Sequence, residues 1–131
     1  MNMIPTTDAG SLRQASIGAL LFDMDGVIYR GNAAIPGAAA LIANLQAHQT
    51  PFLFLTNNAT LTAAQFQAKL AILGIYVDQA AVFTSSMATA AWLSRQAPPG
   101  APVLVVGEAG LRQPVLRISP SSPPIRASAI C

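Results

Sequence analysis

Two aspartates stand one residue apart in Leu20-Leu21-Phe22-Asp23-Met24-Asp25-Gly26-Val27, directly after an apolar run and just before a glycine. The whole chain holds five acids, so this pair concentrates charge that is scarce elsewhere. Carboxylates at the carboxyl end of a buried strand lie where open α/β sheets place their ligands, and a pair can hold a cation or move a proton. A second polar cluster, Thr56-Asn57-Asn58, ends the apolar run Phe52 to Leu55 one helix further along. If both runs are parallel strands of one sheet, the clusters converge on the same edge. Two blander readings compete. Asp favours turns after strands. A calcium loop of the EF-hand kind needs Gly sixth and an acid twelfth, but counting from Asp23 those positions hold Ile28 and Ala34, and that reading fails.

The surrounding sequence predicts elements able to position these groups. Ile17 to Phe22 is too short for a helix and too apolar for a half-exposed strand, so it reads as a central strand covered on both faces. Pro36 suits the first position of a helix whose stripe is Ala38, Leu41, Ile42 and Leu45, ending at His48. After Phe52 to Leu55, Thr60 or Thr62 can cap a helix with Phe66, Leu70 and Leu73 on one face, and Gly74 supplies a left-handed stop. Ile75 to Val77 reads as a short extended piece. Thr84 to Gln96 reads as a helix capped by Ser85 or Ser86, with Met87 and Trp92 packing on the sheet, and Pro98-Pro99-Gly100 ends it. Val103 to Val106 reads as a third buried strand, and Gly107 to Arg112 as a helix start that Pro114 interrupts. The expected fold class is therefore α/β, a Rossmann-like parallel sheet of about three main strands with flanking helices.

Composition sets the outer limits. The chain has 131 residues, 53% of them hydrophobic, with a mean hydropathy of +0.49, ample for one buried core. Only 9% are charged, so the surface is poor in solubilising charge and association is expected. The net charge of +2 comes from scattered basic residues without aromatic interleaving, which argues against nucleic-acid binding. No apolar run approaches a membrane span, and the single Cys131 excludes an intrachain disulfide, so a cytoplasmic setting is the expectation. Three segments are predicted: a disordered lead over 1–16, the α/β core over 17–113, and a Pro/Ser-rich tail over 114–131.

Leu21-Phe22-Asp23-Met24-Asp25-Gly26-Val27-Ile28-Tyr29, Phe54-Leu55-Thr56-Asn57-Asn58, Phe83-Thr84-Ser85 and Val105-Val106-Gly107-Glu108-Ala109-Gly110-Leu111 together resemble the haloacid dehalogenase (HAD) superfamily, nearest its NagD-like and p-nitrophenylphosphatase branch. That resemblance implies a phosphatase acting on a small phosphorylated metabolite. Asp23 would be the nucleophile that becomes an aspartyl phosphate. Asp25 would protonate the leaving oxygen and later activate water, and its backbone carbonyl would join the Asp23 carboxylate on Mg²⁺. The Thr56 hydroxyl and the Asn57 amide would supply donors to the phosphate beside Asn58. Gly26 would permit the tight turn after the acids, and Val27 to Gly31 resembles the family's mobile flap. Phosphoryl transfer needs such an in-line nucleophile, a cation and donors around the equatorial oxygens.

The family's site also uses a lysine from a later segment and further acids, typically in a Gly-Asp motif. Here the only lysine is Lys69, and no aspartate follows Asp78. The expectation is a partial core without the cap domain, with weak or absent turnover and a sheet edge left unpaired beside Asp23, open to self-association. A non-catalytic phosphate-binding or self-associating fragment is the competing function. A response-regulator-like phosphoacceptor fits less well, because it needs a lysine on a later strand. His48 reads as a helix-end residue and Glu108 as a helix-start acid.

Overall fold

A computed structural model of the chain describes residues 17–98 and 101–117. The expected lead over 1–16, Pro99-Gly100, and the tail from residue 118 onward with Cys131 lie outside the described residues.

Three short parallel strands form the sheet: β1 (Leu20–Asp23), β4 (Phe52–Thr56) and β5 (Val82–Thr84), in the order β1-β4-β5. Between β1 and β4 the chain makes a small antiparallel hairpin, β2 (Tyr29–Arg30) with β3 (Ala33–Ala34), and then α1 (Ala38–Ala47). Helix α2 (Ala63–Ile72) and a 3₁₀ turn over Gln79–Ala81 lead into β5, which runs directly into α3 (Ser85–Gln96); α4 (Ala109–Leu116) closes the described chain. The α/β class and the parallel sheet are as the sequence predicts.

Side chains alternate across a strand, so the register Phe22↔Phe54↔Val82 and Asp23↔Leu55↔Phe83 sorts the sheet into two faces. Leu20, Phe22, Phe52, Phe54 and Val82 point into a core completed by Ile42 and Leu45 of α1 and Phe66 and Leu70 of α2. Those helices form because their apolar residues recur at three and four positions, and each is punctuated locally. The Thr62 hydroxyl accepts from the Gln65 amide while the Gln65 side chain accepts from the Thr62 amide, a reciprocal capping box. Gly74 takes the left-handed conformation at φ 78° that ends α2. His48 caps α1, its Nδ1 donating to the Asn44 carbonyl at 2.9 Å.

Several elements differ from the sequence reading. β1, read as covered on both faces, has β4 as its one sheet partner among the described residues, and Leu21 on the second face is 67% exposed. The third strand is Val82–Thr84, whereas Val103 to Val106 joins no ladder. Val103 and Val105 pack instead against Ala90 and Leu93 of α3 and Leu111 and Val115 of α4. Helix α1 starts at Ala38 behind Gly37, two residues after Pro36, and Thr84 caps α3 by accepting from the Met87 amide. Trp92 is 59% exposed, because α3 turns Ser86 and Ala90 inward. Helix α4 runs through Pro114 to Leu116, with Val115 buried, so packing holds a last turn that proline alone would disfavour. No described helix is long and apolar enough to cross a membrane.

Candidate active site

Because β1 and β4 are parallel and in register, their last residues, Asp23 and Leu55, stand side by side, and the polar residues that follow gather at one edge of the sheet. Asp23, Thr56, Asn57, Thr84 and Ser85 line a cleft of about 410 Å³ there, floored by Leu21, Leu55 and Phe83 of the open sheet face. The cleft thus joins three strand ends. Asp23 is exposed, and its Oδ1 accepts from the Met24 amide at 2.8 Å, which fixes the carboxylate against its own turn.

Asp25 lies two residues past the end of the strand, exposed, in a bridge with Tyr29 rather than in the cleft lining. Gly26 has φ 82°, a left-handed turn that a side chain would strain, and its amide donates to the Tyr29 carbonyl at 2.7 Å. This turn reverses the chain into the β2-β3 hairpin. The hairpin occupies the expected flap, yet Ile28 and Tyr29 are buried, while Val27, Arg30, the Gly31-Asn32 tip and Ala33 face outward.

Thr56 is buried, and its Oγ1 accepts from the Asn58 amide at 3.1 Å. A hydroxyl that accepts from one neighbour still has its own proton to donate. The Asn58 side chain does not reach toward the acids; its Oδ1 accepts from the Thr60 amide at 2.9 Å and the Thr60 hydroxyl at 2.7 Å, bracing the loop. Glu108 caps α4 as a helix-start acid without a side-chain hydrogen bond. Sequence reasoning offered Ser85 as a helix cap and missed its tie to the other cluster: its hydroxyl donates to the Asn57 carbonyl at 3.2 Å across 28 residues of chain.

Lys69 is committed elsewhere: its ammonium lies 3.8 Å from the centroid of the Tyr29 ring. Tyr29 is fully buried, its hydroxyl unpartnered among the described residues, and burial first, then the charges of Asp25 and Asp23, push its pKa up to about 12. The unfolded chain releases that proton near pH 10, so the stability this tyrosine contributes is intact below about pH 10 and is lost as pH climbs through about 12. Denaturant melts of the metal-free protein are expected to show that loss in the wild type and a smaller one in Tyr29→Phe, which keeps the ring and removes the orphan hydroxyl.

The donors that the family resemblance assigns to a cation here would both be oxygens, the Asp23 carboxylate and the Asp25 backbone carbonyl. Among the described residues no third His, Cys, Asp or Glu groups with them. Hard oxygen donors in small number fit Mg²⁺, which keeps several waters and is commonly held by one or two carboxylates plus a substrate phosphate.

Over residues 20–118 the chain matches the family model of haloacid dehalogenase-like hydrolases. The acid sugar phosphatase of Staphylococcus saprophyticus is 40% identical over 93 residues, 71% of this chain and 36% of that enzyme. NagD of Escherichia coli superposes with a TM-score of 0.72 at 31% identity, over 79% of this chain and 41% of that one. The glycerol phosphate phosphatase of Mycobacterium tuberculosis, solved in complex with calcium, gives a TM-score of 0.69 at 34% identity over 78% and 30% of the two chains. The same enzyme has been solved in complex with magnesium. The chain spans little more than a third of the length of the first curated relatives it matches.

Proposed function

Since this chain belongs to the haloacid dehalogenase-like hydrolases, on their NagD-like side, we propose that it carries the phosphoryl-accepting half of a Mg²⁺-dependent phosphatase site for small phosphomonoesters. The observation that carries this reading is the single cleft shared by Asp23, Thr56 and Asn57 at the ends of adjacent parallel strands. A carboxylate oxygen of Asp23 attacks phosphorus in line, and the ester oxygen departs with the proton of Asp25. The resulting aspartyl phosphate is then opened by water, whose proton returns to Asp25, releasing inorganic phosphate and restoring Asp23. The Thr56 hydroxyl and the Asn57 amide donate to the phosphate oxygens during both steps. Held by Asp23 and Asp25, Mg²⁺ would offset the charge of the phosphate.

Similar proteins named as acid sugar, glycerol phosphate and 5'-nucleotide phosphatases support phosphomonoesters as the substrate class. With Lys69 stacked on Tyr29 and no third acid at the described site, turnover is expected to be slow. Phosphate release from p-nitrophenyl phosphate that needs Mg²⁺ and disappears with EDTA is the expected result. Release that survives both EDTA and Asp23→Asn removes the reading.

A second reading is favoured by the sheet itself. The outer edge of β1 is unpaired among the described residues and lacks the lysine or proline that commonly blunts an edge, while Leu21, Leu53, Leu55 and Phe83 form an open apolar face beside it. A second copy of the chain suits both surfaces, since pairing β1 antiparallel to its copy would continue the sheet and hold the two Asp23 carboxylates at opposite ends. Light scattering after gel filtration is expected to show dimers or larger species in the wild type and a shift toward monomer in Leu21→Lys. An unchanged distribution counts against this surface.

A further inference from the structure

The loop after β4 is fastened at both ends of one peptide unit. In the unit joining Asn57 to Asn58, the carbonyl oxygen accepts from the Ser85 hydroxyl at 3.2 Å and the amide donates to Thr56 Oγ1 at 3.1 Å. Its plane therefore cannot rotate without breaking both bonds. With Oγ1 already accepting, the Thr56 hydroxyl proton is left to donate to a second partner.

The far side of the same loop is fastened by α4. The Gly110 amide donates to the Thr60 carbonyl at 3.1 Å, and a methyl group on Gly110 would run into the carbonyl oxygens of Ala59 and Leu61. Those are backbone atoms and cannot swing aside as a side chain would. Glycine is thus what lets α4 seat against the loop. Between these outer fastenings, Asn58 Oδ1 holds Thr60 from within.

We propose that Ser85 and Gly110 are positioning residues for phosphate: they hold the Thr56-Asn57-Asn58 loop in the one arrangement that presents the Thr56 hydroxyl and the Asn57 amide to the phosphate oxygens. The proposal rests on the phosphatase reading and extends it to two elements, α3 and α4, that contribute no acid or base to the chemistry. A donor aimed in advance loses no binding energy to reorganisation, whereas a loop free to rotate its peptides must be ordered by the ligand.

The test is a titration of full-length protein with inorganic phosphate in Mg²⁺, followed by amide NMR shifts, alongside hydrogen exchange at the Asn58 amide without ligand. In Ser85→Ala, Asn58 protection falls and phosphate binds roughly three- to tenfold more weakly, the range of one neutral hydrogen bond. Ser85→Thr, which keeps the hydroxyl, restores both. Gly110→Ala weakens phosphate at least as much, with shift changes spreading over residues 59–61. An unfolding midpoint that stays constant between Ser85→Ala and Ser85→Thr separates positioning from general stability. Wild-type protein that binds phosphate no better than Ser85→Ala overturns this proposal alone. Wild-type protein that binds no phosphate in Mg²⁺ overturns the phosphatase reading and this proposal with it.

Discussion

Asp23→Asn is expected to lower phosphate release by about a thousandfold or more, roughly 4 kcal/mol of transition-state stabilisation. The substitution is close to isosteric, and the amide oxygen can still accept from the Met24 amide, so the turn that presents residue 23 is retained. What it loses is chemical: a carboxamide neither attacks phosphorus nor brings negative charge to a cation. The control that separates the two acids is Asp25→Asn. It leaves the nucleophile in place, and p-nitrophenolate departs without needing a proton, so the protein should accept phosphoryl groups but fail to discharge them. Incubation with a labelled phosphoryl donor is then expected to mark Asp25→Asn strongly, the wild type transiently and Asp23→Asn not at all. Label on Asp23→Asn, or turnover within tenfold of the wild type, would overturn the assignment of the nucleophile.

The two polar clusters could be found from sequence because each interrupts a run of apolar residues, and interruptions at strand ends are local signals. Their convergence followed from parallel pairing, which the intervening helix α1 enforces. Other features depend on distant partners and leave no local trace. Val82–Thr84 is too short to display a period. Val103 to Val106 alternates inward and outward as a strand would, but a ladder needs a neighbour, and the place beside β4 is taken by β5. Whether β1 is central or at an edge is likewise not written in its own residues, since Leu21 suits either position. The choice of Thr84 over Ser85 or Ser86 as the cap of α3 depended on where β5 ends, with three hydroxyls in succession. That choice has a chemical consequence, because it frees Ser85 to reach the Asn57 carbonyl.

Phe54→Ala is expected to cost about 3–5 kcal/mol, a large part of the 5–15 kcal/mol available to an ordinary domain. Phe54 is fully buried on the central strand, with Phe22 tilted against it at 6.1 Å and Phe52 edge-on at 5.6 Å between ring centroids. Removing the ring leaves a cavity where all three strands and the helices α1 and α2 converge, and both aromatic pairs go with it. Among the described residues only one face of this sheet is covered, which leaves it less in reserve than most. The register that sets Asp23 beside Leu55 and Thr56 beside Thr84 depends on that same covered face. Loss of Phe54 should therefore remove phosphate binding along with the cooperative denaturant transition, both read on one sample. Leu21→Lys, one strand away and on the opposite face, supplies the contrast: it should leave the transition midpoint nearly unchanged while altering association. A Phe54→Ala protein that melts like the wild type would mean that the sheet is held from its open face, by contacts to another chain, and not by the core beneath it.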